Sequence, residues 1–143
     1  MKDEKKNFSE RLKTELLSVK FRGESEKKAC LSAFVRSAGT ICSEHGLVGF
    51  ELSPSGEGER FFLVSLIKSL FSVEPQTITS VKRGKTTLRV VSEKSVDILC
   101  DLGIVERDEE GLAVRLGIDE KLVTDKTRGA YVRGLFLGSG SVT

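Results

Sequence analysis

An α+β fold, with helices alternating with pairs of short strands, follows from three features of this 143-residue sequence. A nine-residue pattern, Leu31-Ser-Ala-Phe-Val-Arg-Ser-Ala-Gly39, nearly recurs at Val132-Arg-Gly-Leu-Phe-Leu-Gly-Ser-Gly140. Between the copies, two pairs of segments alternate apolar and polar residues at the period of a half-buried strand. Separating those pairs are stretches whose apolar residues recur at helical spacing. The predicted order is helix, two strands, helix, two strands, helix, and then one further helix at the end.

Composition fits that architecture. With 38% hydrophobic and 31% charged residues, the chain reads as one globular domain with one core. No apolar run approaches the ~20 residues of a membrane span, and Met1-Lys-Asp-Glu-Lys-Lys6 leads into no secretory h-region. Cys30, Cys42 and Cys100 are scattered without metal-ligand spacing, so they read as cytosolic thiols packed as small hydrophobes. No metal or cofactor is expected. A net charge of +2 is too small to mark a nucleic-acid binder, so any basic footprint must be local.

Residues 1–6 form a charged tail. Ser9 is placed to cap a helix reaching about Val19, with Phe8, Leu12, Leu16 and Val19 on one stripe. Arg11, Lys13 and Lys20 lie on its other face, which is either solvated or part of an arm lying across the core or along a nucleic-acid backbone. Arg22-Gly23-Glu24 reads as a turn. Ser25 is expected to cap the first motif helix, with Glu26 near the positive end of its dipole and Gly39 ending it as a C′ residue. On this helix Leu31, Phe34, Val35 and Ala38 share a face, as Val132, Leu135, Phe136 and Ser139 do on the second. Ala33 and Ser37, and Gly134 and Gly138 in the second copy, stand one turn apart on the flank. Mid-helix glycines cost about 1 kcal/mol each relative to Ala. Close packing of the two helices through these four residues supplies a reason for that cost.

Thr40–Ser43 and Leu47–Ser53 are expected as a hairpin across Glu44-His45-Gly46, of undecided turn type. His45 at its tip has no nucleophile or acid pattern around it. Pro54–Gly58 is a loop; its glycines lack the Gly-Lys-Ser/Thr ending of a phosphate cradle. A helix over Glu59–Ser72 carries Leu63, Leu66, Ile67, Leu70 and Phe71. Thr77–Lys82 and Thr86–Ser92 then flank Arg83-Gly84-Lys85 as a second hairpin. Lys82, Arg83, Lys85 and Arg89 make the strongest basic cluster, which reads equally as a phosphate-contacting patch or as a solvated tip with protective edge charges. Glu93–Gly103 is a helix with Val96, Leu99, Cys100 and Leu102 inward. Asp108–Gly111 is a turn, Leu112–Val123 a connector with a short helix at Asp119–Val123, and Asp125 the cap of the second motif helix.

The repeated nine-mer resembles the LAGLIDADG helix of homing endonucleases, two copies of which pair at the centre of the domain. Asn7-Phe-Ser-Glu-Arg-Leu-Lys-Thr-Glu-Leu16 and Arg128–Thr143 resemble the WhiA family of sporulation regulators, which joins a degenerate LAGLIDADG domain to a C-terminal helix-turn-helix. The resemblance implies an αββαββα half-domain plus the first helix of a second repeat. Residues 1–24 would be a helical arm, 25–103 the first repeat, 104–126 a connector and 127–143 the start of a second, truncated repeat. No helix-turn-helix pattern follows residue 103, so the chain reads as an N-terminal fragment or a processed product.

In active LAGLIDADG nucleases the acid before the last Gly holds the divalent metal. Here those positions are Ala38 and Ser139, neither a carboxylate, so the resemblance implies no catalysis. Glu44, the nearest acid after the first helix, lies beyond a strand. The resemblance implies a bacterial, cytoplasmic, nucleoid-associated transcription regulator, with double-stranded DNA as partner and the basic hairpin on its backbone. A scaffold for a regulatory protein that no longer meets DNA is the alternative, and a degenerate nuclease that still cleaves is a third. A lone half-domain is also expected to self-associate.

Overall fold

The computed structural model describes residues 11–12, 14–18, 20–82, 84–115 and 117–139. The expected tail 1–6, the cap Ser9, the stripe residues Phe8 and Val19, Lys13, Arg83 and Gly140 lie outside them, as does the side chain of Ser139. The elements are α1 (helical at residues 11–12 and 14–18), α2 (Glu24–Ala38), β1 (Thr40–Glu44), β2 (Leu47–Leu52), α3 (Glu57–Phe71), β3 (Gln76–Ser80), β4 (Lys85–Val90), α4 (Ser95–Asp101), β5 (Val105–Asp108), β6 (Gly111–Val114) and α5 (Arg128–Ser139). From α2 to α4 this is the expected αββαββα order. No helix among the described residues is long and apolar enough to cross a membrane.

The first four strands form one antiparallel sheet in the order β1-β2-β4-β3. Across its central pair Phe50 sits opposite Val90, and Leu52 opposite Leu88. All four are buried, and they meet Leu31, Phe34 and Val35 of α2, Leu63 and Ile67 of α3, and Ile98 and Leu99 of α4 in one core. The β1–β2 hairpin turns on His45 and Gly46, with φ of 53° and 79°. Two positive φ values make it a type I′ turn, whose twist matches the strands it joins.

Several boundaries differ from those read in the sequence, mostly because capping groups reach back from inside a helix. Helix α2 starts at Glu24 and Ser25 does not cap it; the Arg22 amide instead donates to Glu26 Oε1 at 2.9 Å. Gly39 ends α2 in an extended conformation (φ −85°), not a left-handed one, because the chain runs straight into β1. Helix α3 begins at Glu57: the buried Glu59 carboxylate accepts from the Ser55 amide at 3.2 Å and the Ser55 hydroxyl at 2.8 Å. Both bonds run from Ser55 to the Glu59 carboxylate and draw the loop onto the helix. The β3–β4 strands end at Ser80 and restart at Lys85, with Gly84 at φ 62° closing the turn. Helix α4 is shorter than Glu93–Gly103: at its start Ser95 Oγ accepts from the Ser92 amide and shares its proton between Ser92 O and Val48 O, and beyond its end Gly103 turns at φ 69°. Its buried residues include Ile98, while Val96 and Cys100 are only half-buried.

The connector is where the structure departs most from the sequence-based expectation. The turn at 108–111 is present, but it joins two strands, β5 and β6, with Val105 opposite Val114. Asp119–Val123 is a turn, not a helix, with the Leu122 and Val123 amides both donating to Asp119 O. Thr127, not Asp125, stands at the start of α5: its hydroxyl accepts from the Thr124 amide at 2.8 Å and donates to Leu122 O at 2.7 Å. Among the described residues, Asp125 makes an exposed pair with Arg128 at 2.9 Å and no other ion pair.

Candidate functional site

The two motif helices lie against each other. A β-carbon built on Gly134 would sit 2.1 Å from Cys30 O and 2.9 Å from Ala33 Cβ. One built on Gly138 would sit 2.0 Å from Ser37 Oγ, whose proton is shared between Ala33 O at 2.9 Å and Phe34 O at 3.2 Å. Ala33, Ser37, Gly134 and Gly138 thus meet at the crossing. The face shared by Val132 and Leu135 points away from it: Val132 is 56% and Leu135 37% exposed, whereas Leu31 and Phe34 on α2 are covered. The buried side of α5 is Tyr131, Arg133, Gly134 and Leu137.

Two buried groups sit at the crossing: Cys30, expected as a thiol packed like a small hydrophobe, and Arg133, whose burial had no signal in the sequence. Burial pushes the Cys30 thiol up to about 12, with the Arg133 charge partly opposing. Arg133 lies over the Phe21 ring at 4.3 Å and the Phe62 ring at 5.1 Å, and its Nε and Nη2 have no hydrogen-bond partner among the described residues. Its charge therefore lies against aromatic faces, with the Glu26 carboxylate also acting on it. Phe21 and Phe62 are themselves 5.9 Å apart, so Arg133 ties the segment after α1 to α3 and α5. Burial also pulls its guanidinium below the ordinary value.

Helix α2 ends at the half-buried methyl of Ala38. Arg36, in its last turn, reaches backbone carbonyls instead of solvent, donating through Nη2 to Gly103 O at 2.9 Å, Arg115 O at 3.3 Å and Gly117 O. This one side chain fastens the β5–β6 hairpin to the end of the motif helix. Among the described residues no group of three or more His, Cys, Asp or Glu is arranged to hold a metal.

The basic cluster divides. Lys82 and Lys85 are exposed at the β3–β4 turn. Lys85 borders a cavity of about 560 Å³ shared with Ser55, Gly56 and Arg60, but the Arg60 guanidinium is bound by Glu57 at 2.7 Å. Arg89 does not join the exposed lysines. Strand register sets it opposite Glu51, so that Arg89 Nη2 lies 2.8 Å and Nε 3.0 Å from Glu51 Oε1, while Nη1 reaches Glu44 Oε2 at 3.2 Å. The bond to Glu51 holds the Arg89 guanidinium above its ordinary value. Arg89, expected with Lys82, Arg83 and Lys85 as a phosphate contact, is thus paired with two carboxylates. His45 is solvent-facing, 3.8 Å from Glu44 Oε1.

No family model matches the chain. It is 29% identical over 147 residues to "Probable cell division protein WhiA" of Thermoanaerobacter pseudethanolicus, covering 96% of this chain and 46% of that protein. The protein of the same name from Clostridium tetani is 27% identical over 145 residues, with the same coverage. That from Lactobacillus gasseri is 31% identical over 141 residues, covering 95% of this chain and 44% of its own length. The chain spans about half the length of the curated relatives it matches.

Proposed function

The chain is homologous to the WhiA family along nearly its whole length, and from that premise we propose that it is a non-catalytic LAGLIDADG-like domain of a bacterial DNA-binding transcription regulator. It supplies scaffold and auxiliary contacts to duplex DNA in the cytoplasm. One observation carries the reading. The two motif helices are closely paired, yet α2 ends in a methyl at Ala38 where a nuclease needs a charged oxygen ligand. The exposed Lys82 and Lys85 support the DNA contact, because phosphate neutralisation is the sequence-independent part of such binding.

The test is paired. Purified protein incubated with supercoiled plasmid and Mg²⁺ is expected to leave it intact, while a salt-titrated assay on random duplex is expected to show weak, salt-sensitive binding. Cleavage that disappears in Glu44→Gln or Glu51→Gln would overturn the non-catalytic reading.

A second reading has its own support. With Arg89 neutralised by Glu44 and Glu51, the outward face of the sheet carries little net positive charge, which suits a protein partner better than a phosphate backbone. Binding of random duplex that does not respond to salt, or no binding at all, would favour that scaffold role.

A further inference from the structure

Three adjacent strands aim a carboxylate, an arginine and a second carboxylate at one another on the sheet face away from the core. Thr40 pairs with Glu51, and Glu51 with Arg89, so these side chains share that face, opposite to the one carrying Phe50, Leu52, Leu88 and Val90. Glu44 ends β1 two residues along the same face from Cys42. All three nitrogens of the Arg89 guanidinium are within 3.2 Å of carboxylate oxygen. The trio carries a net charge of −1 at a place where the strand pattern alone would put a free cation.

We propose that Glu44 and Glu51 act as an internal anion that occupies Arg89 and holds this sheet face in a low-affinity state for duplex DNA. The inference rests on the DNA-binding reading above and adds its regulation. A guanidinium offers the same planar fork to a carboxylate and to a phosphate, so the two compete for the same donors. The side chains are neither buried nor fully solvated, at 31% for Arg89, 45% for Glu44 and 27% for Glu51. Ion pairs this exposed are weak, so a phosphate can displace them, but only by releasing two negative charges that then face the DNA. Arg89 becomes available to phosphate when something neutralises or withdraws the carboxylates.

The experiment compares the native protein, the double variant Glu44→Gln/Glu51→Gln, and that variant with Arg89→Gln added, each titrated with salt on random duplex. Glutamine keeps the size and an acceptor oxygen beside Arg89, and thermal melts check that all three proteins are folded. The double variant is expected to bind about tenfold tighter at low salt, with the log–log salt slope steeper by about 0.9, the increment for one more phosphate neutralised. Adding Arg89→Gln is expected to remove both changes. No gain in the double variant overturns the proposal, and so does a gain that survives Arg89→Gln, since that would be a general charge effect. If the native protein does not bind but the double variant does, through Arg89, the clamp stands and the DNA-binding role assigned to the unmodified chain fails.

Discussion

The backbone carbonyl of Cys30 lies 2.1 Å from the point where residue 134 would carry a β-carbon, so the two motif helices can approach this closely only with glycine there. Alanine at 134 gains about 1 kcal/mol of helix propensity but drives a methyl into a main-chain oxygen and Ala33. Overpacking of that kind typically costs about 1–3 kcal/mol, and a rigid backbone obstacle puts this site at the upper end. Gly134→Ala is expected to lower stability by about 1–2 kcal/mol net in urea unfolding. At 138 the obstacle is the Ser37 hydroxyl, a side chain. Gly138→Ala should therefore be rescued in part by Ser37→Ala, with a coupling of at least about 0.5 kcal/mol in the double-mutant cycle. Strictly additive effects would place the two helices farther apart.

How much of this was legible in the sequence depended on whether a signal was local. The sheet was readable because Phe50, Leu52, Leu88 and Val90 sit at period two, and the helix pair because small residues recur one turn apart. The β5–β6 hairpin was not. Its strands are four residues each, Glu106 and Arg107 are exposed, and it is held by non-local contacts: Val105 in the core, Arg107 on Asp97, and Arg36 reaching flanking carbonyls 67 to 81 positions away. Helix starts were missed where glutamates at 26 and 59 reach back to the amides of Arg22 and Ser55, which precede the helices, and no serine side chain caps either start. In the site, nothing near Arg89 in sequence announces Glu51, 38 positions earlier. Arg133 broke the general expectation that an arginine is solvated.

The β3–β4 turn gives a test that separates phosphate binding from a merely solvated tip. Lys82 and Lys85 are exposed and make no ion pair among the described residues, unlike Arg89. Reversing the charge at Lys82, Arg83 and Lys85 is expected to weaken duplex binding and to flatten its salt dependence by about 0.9 for each phosphate no longer neutralised. Stability should change by less than about 0.5 kcal/mol, as for other surface sites. Unaltered binding would remove the hairpin from the interface.

The uncovered side of α5 bears on solution behaviour. On α2 the stripe Leu31, Phe34, Val35 is sealed by the sheet, whereas Val132 is 56% and Leu135 37% exposed at the corresponding places on α5. Light scattering is expected to show a mass that rises with concentration. Val132→Lys with Leu135→Lys should return it to that of one chain, because the paired charges cannot be buried without cost. A monodisperse monomer at high concentration would show that this stripe is tolerated in water.

The last prediction concerns alkali. Burial raises the Cys30 thiol from its ordinary 9.0 to about 12 in the folded protein, even with the Arg133 charge nearby. A raised folded-state value means that the unfolded chain loses its proton first. The stability linked to this group is therefore fully present below pH 9 and drains away as the pH climbs toward 12, at about 1.4 kcal/mol per unit. Cys30→Ala removes the titration and leaves only a pH-independent cost for the smaller side chain, about 1–2 kcal/mol. Urea unfolding of both proteins between pH 8 and pH 11 should show the native protein losing its advantage over the variant above about pH 9. Parallel curves would mean that the thiolate is accommodated beside Arg133, and hence that solvent reaches the crossing of α2 and α5.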